Sequence, residues 1–178
     1  TDPTATNYNP LANTDDGSCA YPLAIGDIHQ GGIIFWLDGT GGGLIAAPSD
    51  QSSGAEWGCF GTNITGAGGT AIGTGTQNTI DIVNANCSPN TSGNSIAANI
   101  CDTLTLGGYS DWYLPSKFEL NEMYLNLHQQ GLGGFANVNY WSSTEYDYVT
   151  AWYQNFYYGY QTTNNKFDFD NVRAVRSF

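Results

Sequence analysis

The chain has 178 residues, 40% of them hydrophobic, which suits one compact domain with a small appendage. Its 4 Lys+Arg stand against 16 Asp+Glu, a formal net charge of -12, and a surface of that sign repels phosphate backbones and anionic membranes. Nucleic acid is excluded as a partner on that ground, and membrane insertion because no apolar run approaches the ~20 residues that span a bilayer.

The start, Thr1-Asp2-Pro3, has neither a basic region nor a hydrophobic stretch and reads as that of a mature or excised segment. Residues 1–22 contain almost no aliphatic side chain and many turn formers, so they are expected to form a small motif apart from the domain over 23–178. Asp2, Asn7, Asn9, Asn13, Asp15 and Asp16 offer hard oxygen ligands there, with Gly17 permitting a tight turn, and this chemistry fits a structural Ca2+ ion. The plain alternative is a solvated loop of Asx turns, since the terminal Glu of an EF-hand loop is missing.

From Ile25 the pattern changes. Apolar runs at Ile33 to Leu37 and Leu44 to Ala47 flank Asp38-Gly39-Thr40-Gly41 as strands flank a hairpin turn. Gln51 to Gly75, rich in Gly, Ser and Thr, predicts an irregular loop anchored by Trp57 and Cys59. Thr76 to Asn86 predicts a short helix with Ile80 and Val83 on its apolar stripe, and Ser95 to Leu104 another, with Ile96, Ala97, Ile100, Cys101 and Leu104 on one face. Ser116 and Glu119 have capping-box spacing ahead of a third helix, with Phe118, Leu120, Tyr124 and Leu127 as its apolar contacts and its end by Gly131. From Asn139 to Phe178 short aromatic and polar runs predict antiparallel strands.

Cys19, Cys59, Cys87 and Cys101 allow three full pairings, among which sequence does not choose. Their spacings do not resemble zinc pairs, and an acidic, Lys-poor chain favours disulfides over free thiols. Arg173 and Arg176 alternate with Val172, Ala174 and Val175, and at least one is expected in a buried ion pair with Asp111 or Glu119 that locks the last strand. The stretch from Tyr146 to Phe169 carries the sharpest functional signal. Tyrosine offers large, stiff, amphipathic contact area at low entropic cost, and there are too many aromatics here for the core to take all of them.

Catalysis has little support. His29 and His128 are the only histidines, neither adjoins a nucleophile motif, and the spacing of Glu119, Glu122 and Glu145 favours capping and surface charge over an acid–base pair.

The strings GGIIFWLDGTGGGLIAAP, AEWG, GGYSDWYLPSKFELNEMY, YWSSTEY and NVRAVRSF, in that order, resemble the C-terminal domain of the Legionella collagen-like adhesin, over Ile25 to Phe178. The resemblance implies an α+β, C-type-lectin-like fold with short helices on twisted antiparallel sheets, a place on bacterial or phage surfaces, and a binding surface on the last strands. It also implies a framework role for Trp141 and Trp152, and its relatives imply trimers. The calcium-bridged sugar site of many C-type lectins needs Glu-Pro-Asn-like and Trp-Asn-Asp-like triplets. This chain has neither, which leaves aromatic stacking as the way to hold a glycan. Formylglycine-generating relatives use a late cysteine pair, and no cysteine follows Cys101. DPTATNYNPLANTDDGSC resembles a short repeat of secreted marine Bacteroidetes proteins that is usually preceded by a cysteine. In that case Cys19 lacks its partner, and Cys59, Cys87 and Cys101 compete for at most one bond.

A second resemblance is to the variable proteins of diversity-generating retroelements. It implies ligand-binding positions at Tyr146, Asp147, Tyr148, Tyr153, Asn155, Tyr157, Tyr158, Tyr160, Asn164, Phe167, Asp168 and Phe169. The expectation is an extracellular module, on a cell surface or virion, that attaches to a cell-surface protein or glycan receptor and is not an enzyme. The alternative is a structural repeat unit of a filament, layer or virion decoration that forms homo-oligomers through the same face.

Overall fold

A computed structural model of the chain describes residues 3–11, 22–91 and 95–178. The opening hairpin forms as its sequence predicts: β2 (Gly32–Leu37) and β3 (Gly43–Ala46) pair antiparallel, with Ile33 opposite Ala46 and Leu37 opposite Gly43. Asp38 builds the turn by accepting the N–H groups of Thr40 at 2.6 Å and Gly42 at 3.0 Å. β1 (Ile28–His29) extends the sheet beside β2, and β9 (Val175–Ser177) beside β3. Ile34 and Ile45 enter one core, while Ile33, Phe35, Leu44 and Ala46 enter another on the opposite face. Burial on both faces explains why these strands read as unbroken apolar runs rather than alternating ones.

The second sheet has the order β4-β8-β5-β6-β7, built from β4 (Ser52–Glu56), β5 (Asn139–Glu145), β6 (Thr150–Asn155), β7 (Gln161–Asn165) and β8 (Phe169–Val172). β4 lies inside the stretch expected to be irregular. Its small polar residues carry no strand pattern, and its backbone is ordered by β8, with Ala55 opposite Asp170 and Glu56 opposite Phe169. β5, β6 and β7 pair antiparallel as predicted, whereas β5 meets β8 in a parallel bridge between Tyr140 and Asn171.

Two buried tryptophans join β5 to β4. Trp57 Nε1 donates to the Ser142 carbonyl at 2.8 Å, and Trp141 Nε1 to the Ala55 carbonyl at 2.8 Å. Cys59 and Cys87 form a disulfide, and Cys101 is a buried free thiol in the same core. Cys19 lies outside the described residues.

All three expected helices are present, giving the α+β class that the sequence predicts. α1 (Gly75–Asn84) turns a different face inward from the expected one: Ile82 is buried and Ile80 exposed. Its inner face is largely polar, and Asn78 satisfies itself there by donating to the Gly69 carbonyl at 2.7 Å and accepting the Gly69 N–H at 3.1 Å. α2 (Ala97–Asp102) buries Ala97, Ala98 and Cys101. α3 (Lys117–Asn126) starts at the predicted capping box, where the Ser116 N–H donates to Glu119 at 2.7 Å and Ser116 Oγ accepts the Glu119 N–H. It packs Leu120, Met123 and Leu127 inward and leaves Phe118 exposed, and a 3-10 turn (His128–Gln130) ends at Gly131 with φ 71.

Ion pairs use three of the four Lys and Arg side chains. Arg176 pairs with Asp111, one of the two expected partners. Arg173 instead pairs with Asp50 at 2.6 Å, and Glu119 is occupied by capping. Lys166 is fully buried between Glu145, the Thr62 carbonyl at 2.9 Å and the Trp57 ring.

Candidate binding face

The turn between β6 and β7 is shaped by Asn155 and Gly159. Asn155 Oδ1 accepts the N–H of Tyr157 at 3.0 Å and of Tyr158 at 2.8 Å, and the Gly159 N–H closes the turn on the Asn155 carbonyl at 2.8 Å. Gly159 has φ 85, and a Cβ there would strike the Tyr124 ring, so this position requires glycine. The turn thrusts Tyr157 (60% exposed), Tyr158 (73%) and Tyr160 (48%) into solvent. Their rings touch in series: Tyr157 meets Tyr158 edge-on at 4.5 Å, Tyr158 stacks on Tyr160 at 6.2 Å, and Tyr160 meets Tyr153 at 6.4 Å.

Beneath this rim lies a chain of polar side chains. Asn155 Nδ2 donates to Asn139 Oδ1 at 2.8 Å, Asn139 donates to the Asp170 carboxylate, and Asn164 Nδ2 donates to Asp170 at 3.3 Å. Burial raises the Asp170 carboxyl above its ordinary range, the amide hydrogen bonds pull it down, and the nearby Asp168 charge raises it. Burial and then the hydrogen bond to Tyr160 push the Tyr153 phenol up to about 12.

A second aromatic group sits at the far end of the same hairpin, roughly 17 Å of strand away. Tyr146, Tyr148, Phe167 and Phe169 are exposed here, with Phe60 edge-on to Phe167 at 4.9 Å. Asp147 shapes this end by accepting the N–H groups of Val149 at 2.8 Å and Thr150 at 2.7 Å, bonds that hold its carboxyl below the ordinary range. Asp168 caps the β7–β8 connection, accepting from Asn165 Nδ2 at 3.3 Å.

The twelve residues expected to bind ligand therefore divide between two ends of one hairpin. Tyr153 differs from expectation, because it is buried against Trp141 in the core. Asn155, Asp147 and Asp168 spend their side chains on turns. Trp152, expected in the core, is half-buried, edge-on to Tyr146 and capped by the Lys117 ammonium at 3.3 Å. Asp170, Asn139 and Phe60 were not anticipated; the polar pair Asp170-Asn171 between the apolar Phe169 and Val172 was the one available signal.

Of the expected calcium ligands, Asp2, Asn13, Asp15 and Asp16 lie outside the described residues. Asn9 Oδ1 accepts the Leu11 N–H at 3.0 Å, the geometry of an Asx turn, and Asn7 is also described. Among the described residues no three His, Cys, Asp or Glu side chains are grouped to hold a metal ion. Glu119 accepts the Ser116 and Gly73 N–H groups, Glu122 accepts from Asn126, and Glu145 pairs with Lys166, so each of these carboxylates has a partner within the scaffold.

Two sheets braced by internal ion pairs, with aromatic side chains displayed at both ends of an outer hairpin, form a scaffold carrying a solvent-facing aromatic surface. Residues 49–176 match the model of the Lcl C-terminal domain, and the chain belongs to that family, which is associated with surface proteins of bacteria and phages. The match covers the three helices, the second sheet and most of β9, while β1 to β3 precede it. No curated protein matches the chain. Among the described residues no helix is long and apolar enough to cross a membrane.

Proposed function

We propose that the chain is an extracellular attachment module that grips a cell-surface protein or glycan receptor with the tyrosines of the β6–β7 turn. The observation that carries this reading is the run of three exposed tyrosines, Tyr157 edge-on to Tyr158 and Tyr158 stacked on Tyr160, over a turn fixed by Asn155 and Gly159. Rings held in place before contact lose little entropy on binding, and contiguous exposed aromatic surface marks interaction sites. Such binding requires no nucleophile or catalytic base. Because the turn is held by Asn155, its shape is independent of the rings it carries. This supports reading the face as one whose residues are exchanged between variants, as in the variable proteins of diversity-generating retroelements. The Asx-rich segment ahead of the domain serves, in this reading, as a calcium-stiffened connector.

The test compares the parent chain with the triple variant Tyr157→Ala, Tyr158→Ala, Tyr160→Ala for retention of cells on an immobilised layer of the protein. The expected result is loss of retention by a variant that still unfolds cooperatively, with at most a modest fall in melting temperature from Tyr160, the least exposed of the three. Unchanged retention refutes the reading. If the parent self-associates in sedimentation and the variant does not, the structural-unit alternative takes its place.

A further inference from the structure

The hydrogen bonds beneath the tyrosine rim all run one way. The turn N–H groups donate to Asn155, Asn155 donates to Asn139, and Asn139 and Asn164 donate to Asp170. The amide oxygens are spent as well: Asn139 Oδ1 receives Asn155, and Asn164 Oδ1 receives the Asn165 N–H at 3.1 Å. Asp170 accepts two amide donors, while a carboxylate has about four lone-pair sites, so acceptor capacity remains at the end of the relay.

Among the described residues no lysine or arginine meets that charge. Each of the 4 Lys+Arg is engaged elsewhere: Lys117 on Trp152, Lys166 with Glu145, Arg173 with Asp50 and Arg176 with Asp111. Asp170 is only 6% exposed, and desolvating a carboxylate without a counter-charge is costly. A sugar ring asks for donors and acceptors together. Around Asp170 the dominant feature is instead a negative charge with free lone pairs, bordered by the exposed Tyr160 ring, and this suits a multi-donor cation.

The geometry points to the Asp170 carboxylate as the seat for a lysine or arginine side chain of a protein partner, inserted beside Tyr153 and Tyr160. This deepens the proposed attachment function and rests on it, by making the receptor a basic protein surface that complements a chain of net charge -12.

The test follows the side-chain amide signals of Asn139 and Asn164 in 15N-labelled full chain. The probes are Nα-acetyl-lysine methylamide, its neutral Nε-acetylated form, and glucosamine. The expected result is a saturable shift with the lysine probe that is absent with the neutral form and about tenfold weaker in Asp170→Asn, the loss of one charge-assisted hydrogen bond. Equal shifts with charged and neutral probes, a response to glucosamine alone, or no response overturns it. The comparison of charged with neutral probe needs no variant, so it stands even where Asp170→Asn folds poorly. If the probes fail while the triple tyrosine variant still loses retention, the cation site falls and the attachment function stands. If the probes shift while that variant is retained normally, the reverse holds.

Discussion

Arg173→Met removes a guanidinium from a site only 1% exposed. The ion pair to Asp50 at 2.6 Å is lost, along with the bonds from Nη1 to the carbonyls of Ala47 at 2.9 Å and Gly133 at 2.8 Å and the contact over the Phe135 ring. Methionine is flexible and apolar and refills most of the volume, so the cavity contribution is small. The larger cost lies with Asp50, which keeps the Tyr140 hydroxyl at 2.9 Å and Asn171 Nδ2 at 3.0 Å but no cation. Breaking a buried pair from one side costs about 3–5 kcal/mol, and because water still reaches part of the Asp50 side chain we expect the lower end, about 3 kcal/mol. In a domain of this size roughly 1 kcal/mol moves Tm by ~2–4 °C, so the melting temperature should fall by about 6–12 °C. Urea unfolding of the full chain measures the free energy, and the double variant Asp50→Asn, Arg173→Met measures the coupling. The stranded charge is the main cost, so the second substitution should restore more than half of the loss. A loss for Arg173→Met below about 1 kcal/mol, the range of an exposed pair, would refute the reasoning, as would a double variant no more stable than the sum of the single changes.

Asp170→Asn should be at least as stable as the parent at pH 7. A carboxyl whose folded pKa lies above its unfolded value contributes most to stability below the unfolded pKa, and the contribution is lost as pH rises through the folded one. The advantage of the variant should therefore shrink as urea unfolding is repeated from pH 7 towards about pH 4, and a variant clearly less stable than the parent at pH 7 removes the premise of an uncompensated charge. For the connector, calcium titrated calorimetrically into the full chain should give a single-site isotherm that the double variant Asp15→Asn, Asp16→Asn abolishes. No heat with the parent chain eliminates the ion.

Elements specified by neighbours in sequence were legible, and those specified across the fold were not. The Asp38 turn and the Ser116–Glu119 capping box are complete within a few residues, so their side chains announce the hairpin and α3 directly. β4 is a strand because β8 lies beside it, and nothing in Ser-Ser-Gly-Ala-Glu carries that partner. The orientation of α1 was misread for a related reason. Its inward face presents Gly75, Asn78 and Thr79 beside Ile82, and the polar members are acceptable inside only because Gly69, Leu114 and Ser143 supply hydrogen bonds from distant segments. The same limit applies to the binding face. Residue type marks Tyr157 and Tyr158 as candidates, but the alternation of β6 places Tyr153 on the core side against Trp141, and the relay to Asp170 exists only once β5, β7 and β8 meet.

Under the proposed function, stability and recognition are carried mostly by different side chains. Trp57, Trp141, Lys166 and Arg173 hold the sheets together from within and are sealed from solvent. At the two ends of the hairpin, Asn155 and Asp147 fix the backbone through N–H groups that every residue except proline possesses, so the turns persist whichever rings they carry. Tyr157 and Tyr158 bury little, and exchanging such surface residues usually changes stability by less than about 0.5 kcal/mol. Tyr153 and Asp170 break this division. Tyr153 fills the core while bordering the rim, and Asp170 terminates the relay that shapes the turn while keeping lone pairs for an incoming donor. A change at either must satisfy packing and ligand together. Under the proposed function, that constraint makes Tyr153 and Asp170 the fixed floor beneath the exposed tyrosines.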